Sequence, residues 1–323
     1  MALVSIVVLN WRSYPPVMDA VSSAVNQRGC DVEVIVVDNG SNDGSLERLR
    51  TAFPDLAYVE IGYNSGFTGG MNAGTDHARG DFVLWQNADL VLDPDYCARA
   101  VAAMAAEPRL GALGGQVDRL IDGRKTDVFD ACGYFLSPTH RAAFYRTRSP
   151  ADVVGVSGSC PFFRRAALDD IRRPVGYVLD PWYFTYGEDI DVMLRLNLAG
   201  WIVRFDPGLR AWHIRSGSTV AGSRFYEKPD VTQVHHFKNR LATIRKSLPP
   251  RALSARLLPL AVTELGLPFY LLLKRPSSLR NWLRGWGAFL RERPRLARDR
   301  QAMLAAAPPG ASDRLTRLLR QRP

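Results

Sequence analysis

Two features of the chain are suited to chemistry, an acidic cluster and a histidine that follows it. Glu188, Asp189 and Asp191 crowd the predicted start of a helix, directly after Gly187. A carboxylate at such a place can act as a general base, although acidic residues also favour a helix N-terminus through its dipole. His213 follows one short predicted strand later and is a candidate metal ligand, but a lone histidine is more often structural. Both alternatives stay open at this point.

Short apolar runs alternate with helical segments and predict the elements that position polar residues. The runs are Val4 to Leu9, Val32 to Val37, Leu56 to Ile61 and Phe82 to Trp85, and the helical segments lie near Pro16 to Gln27, Ser45 to Ala52 and Thr68 to Arg79. This alternation predicts βαβ units and a parallel sheet that is buried on both faces. Ligands bind beyond the carboxyl ends of such strands. We therefore expect one crevice that gathers Asn10, Asp38, Asn64 and Asp89.

The middle of the chain gives a weaker pattern. From Gly114 to Ser159, Gly, Pro and charged residues interrupt short apolar pieces, which predicts further strands and a flexible segment near Ser137 to Pro150. A helical period returns between Pro181 and Gly200. We then expect a strand from Ile202 to Phe205, ended by a turn at Pro207-Gly208.

Four stretches together carry a family resemblance. They are Val4 to Trp11 (VSIVVLNW), Val34 to Ser41 (VIVVDNGS), Phe82 to Leu90 (FVLWQNADL) and Gly187 to Asp191 (GEDID). They resemble the inverting glycosyltransferases of family 2, over roughly residues 3 to 245. The glycine-rich stretch from Gly62 to Gly74 is similar to the N-x-G-F-x-G-G-x-N pattern of the rhamnosyltransferase-like branch. The resemblance implies a GT-A fold, which is a Rossmann-like α/β fold with a mostly parallel central sheet flanked by helices.

The resemblance also implies catalytic and metal-binding roles. Asp189 would be the catalytic base, and Glu188 would orient the acceptor or Asp189. Asp89 and His213 would hold a divalent cation, Mg or Mn, because such cations take oxygen ligands and bridge the phosphates of a nucleotide sugar. The family's D-x-D motif is here Asn87-Ala88-Asp89, so Asn87 is expected on the nucleotide rather than on the metal.

The donor-binding residues implied by the resemblance are spread over the whole predicted domain: Asn10, Asp38, Asn64, Gly66, Asn72, Asn87, Gly158, Lys238 and Arg240. Gly158 belongs to a stretch that follows the segment expected to shape the acceptor site. Lys238 and Arg240 would meet the donor diphosphate or a lipid-linked pyrophosphate, and a solvated helix face is their alternative.

The positive charge is confined to the C-terminal region. The net charge of the chain is +10, but residues 1–250 carry 27 Lys and Arg against 28 Asp and Glu, whereas residues 251–323 carry 15 against 4. Pro249-Pro250 marks the predicted boundary between a catalytic domain, residues 1–250, and a basic helical extension, residues 251–323. Such asymmetry indicates an anionic surface as partner of the extension. It argues against nucleic-acid binding, because the first 250 residues have no net positive charge.

The extension contains a strongly apolar stretch from Leu257 to Leu273, which is interrupted by Glu264 and two prolines. A carboxylate is costly within lipid, so the stretch is expected to lie in the membrane interface. The alternative is a helical cap or a dimerisation hairpin packed on the catalytic domain. Whether the protein forms a homo-oligomer is left open by the sequence. The four cysteines are scattered and no basic segment precedes the first strand, which predicts a cytoplasmic protein, peripheral on the inner face of the cell membrane.

The function expected from these features is transfer of a sugar from a nucleotide-sugar donor to a cell-surface glycan or lipid-linked acceptor. The branch resemblance favours L-rhamnose from dTDP-L-rhamnose, and UDP-galactofuranose or a UDP-hexose is the alternative donor. No Q-x-x-R-W motif of processive synthases is present, so we expect the addition of one or a few sugars. A catalytically silent membrane-associated scaffold for glycan assembly is the non-enzymatic alternative.

Overall fold

A computed structural model of the chain describes residues 2–214 and 227–321. Its first part alternates strands and helices as the apolar runs predict. The strands are β1 (Leu3–Asn10), β2 (Asp31–Asp38), β3 (Ala57–Glu60), β4 (Phe82–Asn87) and β5 (Leu90–Leu92). The helices are α1 (Pro16–Val25), α2 (Ser45–Ala52), α3 (Gly66–His77) and α4 (Tyr96–Ala106).

The second part adds short strands to this framework. They are β6 (Leu110–Ile121), β7 (Arg124–Ala131), β8 (Gly133–Leu136), β9 (Ala142–Phe144), β10 (Ala151–Asp152), β11 (Gly155–Val156), β12 (Phe162–Arg164) and β13 (Ile202–His213). Between β12 and β13 lie α5 (Arg165–Arg172), a 3₁₀ turn (Pro181–Tyr183) and α6 (Glu188–Leu198). The expected flexible segment near Ser137 to Pro150 therefore contains one short strand, β9.

Among the described residues the central sheet has ten strands, with β10, β13, β6, β12, β4, β1, β2 and β3 side by side, β5 on β13 and β7 on β6. The core strands β4, β1, β2 and β3 are parallel to one another, and β12 is inserted antiparallel between β4 and β6. A separate small sheet is formed by β11, β8 and β9.

Both faces of the central sheet are covered, which explains the uninterrupted apolar runs. Val7 of β1 packs on one face with Met71 of α3 and Leu194 of α6. Its neighbours Ile6 and Val8 pack on the other face with α1 and α4. Since side chains alternate along a strand, β1 needs apolar residues on both of its faces, and its buried Ser5 donates through Oγ to Glu33.

The expected turn at Pro207-Gly208 is wrong. Ile202 and His213 belong to one strand, β13, and the register with β6 shifts between Asp206 and Arg210. A proline cannot donate to the ladder but is tolerated at a bulge. The strand therefore continues past it and carries His213 to the edge of the site.

The C-terminal part is helical, with α7 (Asp230–Ser247), α8 (Pro250–Ser254), α9 (Leu257–Lys274), α10 (Pro276–Ala306) and α11 (Ala311–Leu318). The predicted boundary falls between α7 and α8. The helices beyond it nevertheless share the main core, since Ala252, Leu260 and Leu315 are buried in one cluster with Leu194. The extension is therefore packed against the first 250 residues over much of its length.

Candidate active site

The carboxyl ends of β1 and β2 hold the first part of the site. Asn10 and Asp38 are register partners at these ends. Asn10 is buried, and its amide nitrogen donates to Asp38 Oδ1 at 3.0 Å and to Ser45 Oγ at 2.7 Å. The other oxygen of Asp38 accepts from the backbone N–H groups of Gly40 and Ser41, each at 3.2 Å. Asn10 thus fixes the orientation of the Asp38 carboxylate.

The glycine-rich stretch lies directly beside Asp38. Asn39 Nδ2 donates to Asn64 Oδ1 at 3.3 Å, and Asn64 Oδ1 also accepts from the backbone of Gly66 at 2.9 Å. Gly66 has a φ of +75°, and a Cβ there would lie 2.5 Å from Phe184. Only glycine meets both requirements.

Asn72, another predicted donor-binding residue, is bonded to the backbone through both of its polar side-chain atoms. Its amide nitrogen donates to Leu179 O at 2.8 Å, and its amide oxygen accepts from Leu179 N at 3.0 Å. This pair of bonds ties α3 to the segment that leads to α6. The geometry gives Asn72 a positioning role, and its contact with the donor stays a prediction.

Asp89 and His213 are brought together by strand pairing. His213 is the register partner of Leu90, and Ile214 N donates to Asp89 O at 2.8 Å. His213 Nε2 lies 2.9 Å from Asp89 Oδ1, while His213 Nδ1 lies 2.9 Å from Asp130 Oδ2. Burial opposes the charged imidazole, but the hydrogen bonds to Asp130 and Asp89 raise the pKa of His213 to about 8.

This pair fits a hard divalent cation. The carboxylate oxygen of Asp89 and the imidazole nitrogen of His213, 2.9 Å apart, are atoms of the kinds that bind a divalent cation. Within residues 2–214 and 227–321, no three His, Cys, Asp or Glu side chains form a complete metal site. The remaining ligands would have to come from water and from a bound substrate.

The acidic pair stands at the start of α6, directly after Gly187, whose φ is +85°. Glu188 is buried, and its Oε2 finds no hydrogen-bond partner among the described residues. Burial, together with the neighbouring charge of Asp189, raises the pKa of Glu188 to about 8. Burial also raises the pKa of Asp189, but backbone N–H groups of Ile190 and Gly158 oppose that shift. Asp189 is therefore the carboxyl of the pair that ionises first.

Gly158 belongs to a loop that lies against both the end of β4 and the acidic pair. A Cβ on Gly158 would come within 2.9 Å of Asp189 Cβ, so only glycine lets this loop approach the carboxylate. The next residue, Ser159, accepts from Asn87 N at 3.0 Å through its carbonyl oxygen. The loop between β11 and β12 thus lies against both Asn87 and Asp189.

Lys238 and Arg240 are engaged within the protein, and neither forms a solvated helix face. Lys238 is buried, donates to the carbonyl of Trp182 and lies 3.7 Å from the centre of the Trp182 ring. Burial lowers the pKa of Lys238 to about 7. Arg240 donates to Thr139 O at 2.8 Å and pairs with Glu264. Their charges are held by these internal partners.

Besides Asp130, which contacts His213, two further residues of the site were not among those predicted from the sequence. Tyr134 of β8 is buried near Asp189 and Glu188, and burial followed by the charge of Asp189 raises its pKa. Asn239 of α7 donates through Nδ2 to the carbonyl groups of Tyr183, Thr185 and Tyr186 at 2.7–3.0 Å. Asn239 thereby fixes the segment that precedes Glu188.

Comparison with known proteins places this geometry in context. Residues 5–172, about half of the chain, match the family model described as Glycosyl transferase family 2. The N-acetylglucosaminyl-diphospho-decaprenol L-rhamnosyltransferase of Mycobacterium tuberculosis strain H37Rv is 29% identical over 217 residues, which cover 58% of this chain and 68% of that protein. The poly-beta-1,6-N-acetyl-D-glucosamine synthase of Staphylococcus epidermidis is 26% identical, over 61% of this chain and 46% of the synthase.

Solved structures share the architecture. The mannosyltransferase PcManGT from Pyrobaculum calidifontis, in complex with GDP-Man and Mn²⁺, matches with a TM-score of 0.55 and 18% identity. The match covers 94% of this chain and 85% of that one. Similarity at this level of identity concerns the fold, and it confirms the predicted GT-A architecture.

Proposed function

The chain belongs to glycosyltransferase family 2, and from this premise we propose that it transfers L-rhamnose from dTDP-L-rhamnose to a lipid-linked glycan acceptor with inversion. The observation that carries the proposal is the arrangement around the loop between β11 and β12. This loop lies against Asn87, two residues before Asp89, and also against Asp189. A donor held at Asp89 would therefore present its sugar toward a candidate base.

The nucleotide end of the donor is proposed to lie at the carboxyl ends of β1 and β2. The Asp38 carboxylate is held by Asn10 and by two backbone N–H groups, so it can accept hydrogen bonds from a base without rearrangement. Asn64 and Gly66 border the same crevice. Asn87, at the end of β4, is next to the path from the nucleotide to the sugar.

Asp89 and His213 would hold a divalent cation, Mg or Mn, through one oxygen and one nitrogen atom. When bound, the cation supplies positive charge that neutralises the diphosphate of the leaving group. Asp130 contacts the other nitrogen of His213, and such a partner sets the tautomer and orientation of a ligating imidazole.

Asp189 is proposed to take the proton from the acceptor hydroxyl. As this oxygen forms its bond to the anomeric carbon on one face of the sugar, the bond from that carbon to the diphosphate oxygen breaks on the other face. dTDP leaves with the electron pair, and the configuration at the anomeric carbon inverts. Glu188 stays protonated at neutral pH because its pKa is raised to about 8, so it can donate a hydrogen bond to Asp189 or to the acceptor.

The choice of rhamnose is supported by the relative that is named as an L-rhamnosyltransferase. Similarity to the poly-N-acetylglucosamine synthase supports a hexose donor as the second candidate. The acceptor of the rhamnosyltransferase, as its name states, is linked through a diphosphate to a decaprenol. A lipid-linked acceptor is proposed here by that analogy, together with a position on the inner face of the cell membrane.

A donor panel tests the proposal. Purified protein is incubated with dTDP-L-rhamnose, UDP-galactofuranose, UDP-hexoses or GDP-hexoses, with Mg²⁺, Mn²⁺ or a chelator, and release of the nucleoside diphosphate is measured. We expect release from dTDP-L-rhamnose only, dependent on the cation, and reduced about 100-fold or more in Asp189→Asn. The matched control is Asp55→Asn, since Asp55 is exposed and should be silent. Release from another donor would replace dTDP-L-rhamnose as the proposed donor. If the protein neither releases a nucleoside diphosphate nor binds dTDP, the silent scaffold is favoured.

A further inference from the structure

The outer face of α9 is apolar and exposed. Five side chains spaced by four, three, four and three residues form one stripe along the helix, and each is more than half exposed: Leu258, Val262, Leu265, Phe269 and Leu272. Leu273, beside the end of this stripe, is 84% exposed. A helix on the surface of a protein in water normally turns such a stripe inward. The stripe runs the length of the helix, so it is not a set of scattered apolar residues.

The inner face of α9 is fixed to the body of the protein. Leu260 and Leu271 are buried. Between them, Glu264 accepts from Trp286 Nε1 at 3.0 Å and pairs with Arg240 of α7. By length and composition α9 is apolar enough to cross a membrane. A crossing would remove Glu264 from both partners and place its carboxylate in hydrocarbon, which is costly.

Exposed cations follow the stripe along the chain. Lys274 ends α9, and α10 carries Arg280, Arg284 and Arg291, all exposed. Two exposed apolar side chains, Leu283 and Leu290, stand among them. A surface that combines an apolar stripe with clustered Lys and Arg is typical of helices that lie in the interface of an anionic membrane. The same cations disfavour a second copy of the chain, because two such surfaces would repel each other.

We propose that α9 lies in the plane of an anionic bilayer, with the stripe from Leu258 to Leu272 inserted between the headgroups and the acyl chains. The exposed arginines at the start of α10 then lie at the level of the lipid phosphates. The bilayer is bound by one face of one helix, and the protein does not span it.

This orientation has a consequence for the acceptor, and that consequence rests on the proposed function. Arg240, which pairs with Glu264 of α9, also binds Thr139 O at 2.8 Å. Thr139 lies just after β8, whose Tyr134 is near Asp189 and Glu188. The elements between α9 and the acidic pair are thus contiguous. A lipid-linked acceptor would reach Asp189 from the bilayer on this side.

Vesicle flotation of the full chain tests the proposal. Wild type and the double variant Leu265→Asp with Phe269→Asp are mixed with vesicles of phosphatidylcholine alone or of equal phosphatidylcholine and phosphatidylglycerol. We expect the wild type to float with the anionic vesicles and the variant to bind at least about tenfold more weakly. The matched control, Val128→Asp with Val231→Asp, places the same charges at exposed apolar positions elsewhere and should bind like the wild type.

The same preparations separate this proposal from the proposed function. Release of dTDP from dTDP-L-rhamnose in detergent-free buffer should be equal in wild type and the α9 variant, since neither substituted residue contacts the acidic pair. Equal flotation of wild type and variant would overturn the membrane role of α9. The membrane role would also be overturned if the wild type floated with neither kind of vesicle. The same holds if light scattering showed that the wild type is a dimer and that the variant is a monomer. Flotation without turnover of any donor would leave the membrane role intact and overturn the glycosyl transfer.

Discussion

At the scale of single residues, the acidic pair is defined by unequal surroundings. Backbone N–H groups of Ile190 and Gly158 support a charge on Asp189, whereas Oε2 of Glu188 has no hydrogen-bond partner among the described residues. Two adjacent carboxyl groups in a buried place cannot both ionise cheaply. Glu188, whose pKa is raised to about 8, is therefore the carboxyl group that keeps its proton at neutral pH.

This assignment predicts a specific effect of pH on stability. The pKa of Glu188 is about 4.5 in an unfolded chain and about 8 in the folded protein. Between these pH values the folded state binds more protons than the unfolded state, so stability falls as the pH rises, by at most about 1.4 kcal/mol per pH unit. Glu188→Gln keeps a neutral side chain and should abolish this fall. Urea unfolding at pH 5, 6, 7 and 8 gives the free energy of unfolding of both proteins. The change with pH in the difference between wild type and variant measures the contribution of Glu188.

The difference between the two proteins isolates Glu188 from other groups that titrate in this range, such as His213. Parallel stability curves for wild type and Glu188→Gln would contradict the assignment, because they would mean that Glu188 is already ionised in the folded protein at pH 5. The matched control is Glu47→Gln, since Glu47 is an exposed glutamate of α2 and its replacement should leave the curve unchanged.

Some residues of the site could be inferred from the sequence and others could not, for physical reasons. Asn10 and Asp38 end apolar strands, and parallel strands bring such ends together. Asp130 and Tyr134 lie in an irregular stretch where no periodicity indicates which side chains face inward. Asn72 belongs to a motif, but only the fold shows that Leu179 occupies both of its polar atoms.

At the scale of elements, the segment between the 3₁₀ turn and α6 is held in an unusual conformation. Phe184 and Tyr186 have φ values of +64° and +68°, which cost energy in residues with a side chain. Asn239 of α7 compensates by donating to three carbonyl groups of this segment. α7 therefore positions the start of α6, where Glu188 and Asp189 stand.

Asn239→Ala should accordingly damage turnover more than donor binding. Loss of the amide removes its hydrogen bonds to the carbonyl groups of Thr185 and Tyr186, whereas the carbonyl group of Tyr183 still accepts from Thr185 N. We expect the free energy of unfolding to fall by about 1–3 kcal/mol. A shifted base should lower kcat at least about tenfold, while KM for the donor stays near the wild-type value because Asp38 and Asp89 are untouched. Steady-state kinetics with saturating acceptor, together with urea unfolding, measure both effects.

Val231→Ala, at an exposed position of the same helix, is the control for general effects on α7. A variant Asn239→Ala that raises KM for the donor and leaves kcat unchanged would show that Asn239 acts on the nucleotide side and not through the start of α6.

Element boundaries in the first 110 residues follow the apolar runs closely, because strands in a sheet that is covered on both sides need apolar residues on both faces. β13 departs from the prediction, since Pro207 and Gly208 are turn-forming residues that here occupy a bulge. A bulge and a turn have the same local composition, and only pairing with β6 distinguishes them.

At the scale of the whole molecule, the C-terminal region combines a helix that is packed against the body of the protein with one that leaves an apolar face exposed. α10 covers the first part of the chain, since Phe289 and Leu296 pack with Tyr183 and Leu241. Arg295 of α10 also binds Asp180 Oδ2 at 3.1 Å, beside the buried Lys246. α9, in contrast, leaves its apolar stripe exposed. A hydropathy pattern alone cannot separate a packed helix from an interfacial one, because both require an apolar face.

The shared core predicts that the chain cannot be divided at Pro249 without loss of the fold. Removal of residues 250–323 would expose Tyr183 and Leu241 and would take Ala252, Leu260 and Leu315 from the main cluster. Full burial of each large apolar side chain is worth about 1.5–3 kcal/mol, and the sum approaches the whole stability of an ordinary domain, about 5–15 kcal/mol. We expect residues 1–249 to aggregate on expression, or to melt far below the full chain in circular dichroism.

The full-length variant Leu265→Asp with Phe269→Asp is the matched control for this truncation, because it alters the exposed stripe of α9 and leaves the buried contacts of α8, α10 and α11 in place. It should melt within about 3 °C of the wild type, which corresponds to roughly 1 kcal/mol for a chain of this size. A monomeric fragment of residues 1–249 that melts as high as the full chain would mean that the extension adds no stability. The proposed membrane attachment would then belong to a separable module, whereas the shared core predicts that it belongs to the domain that carries Asp189.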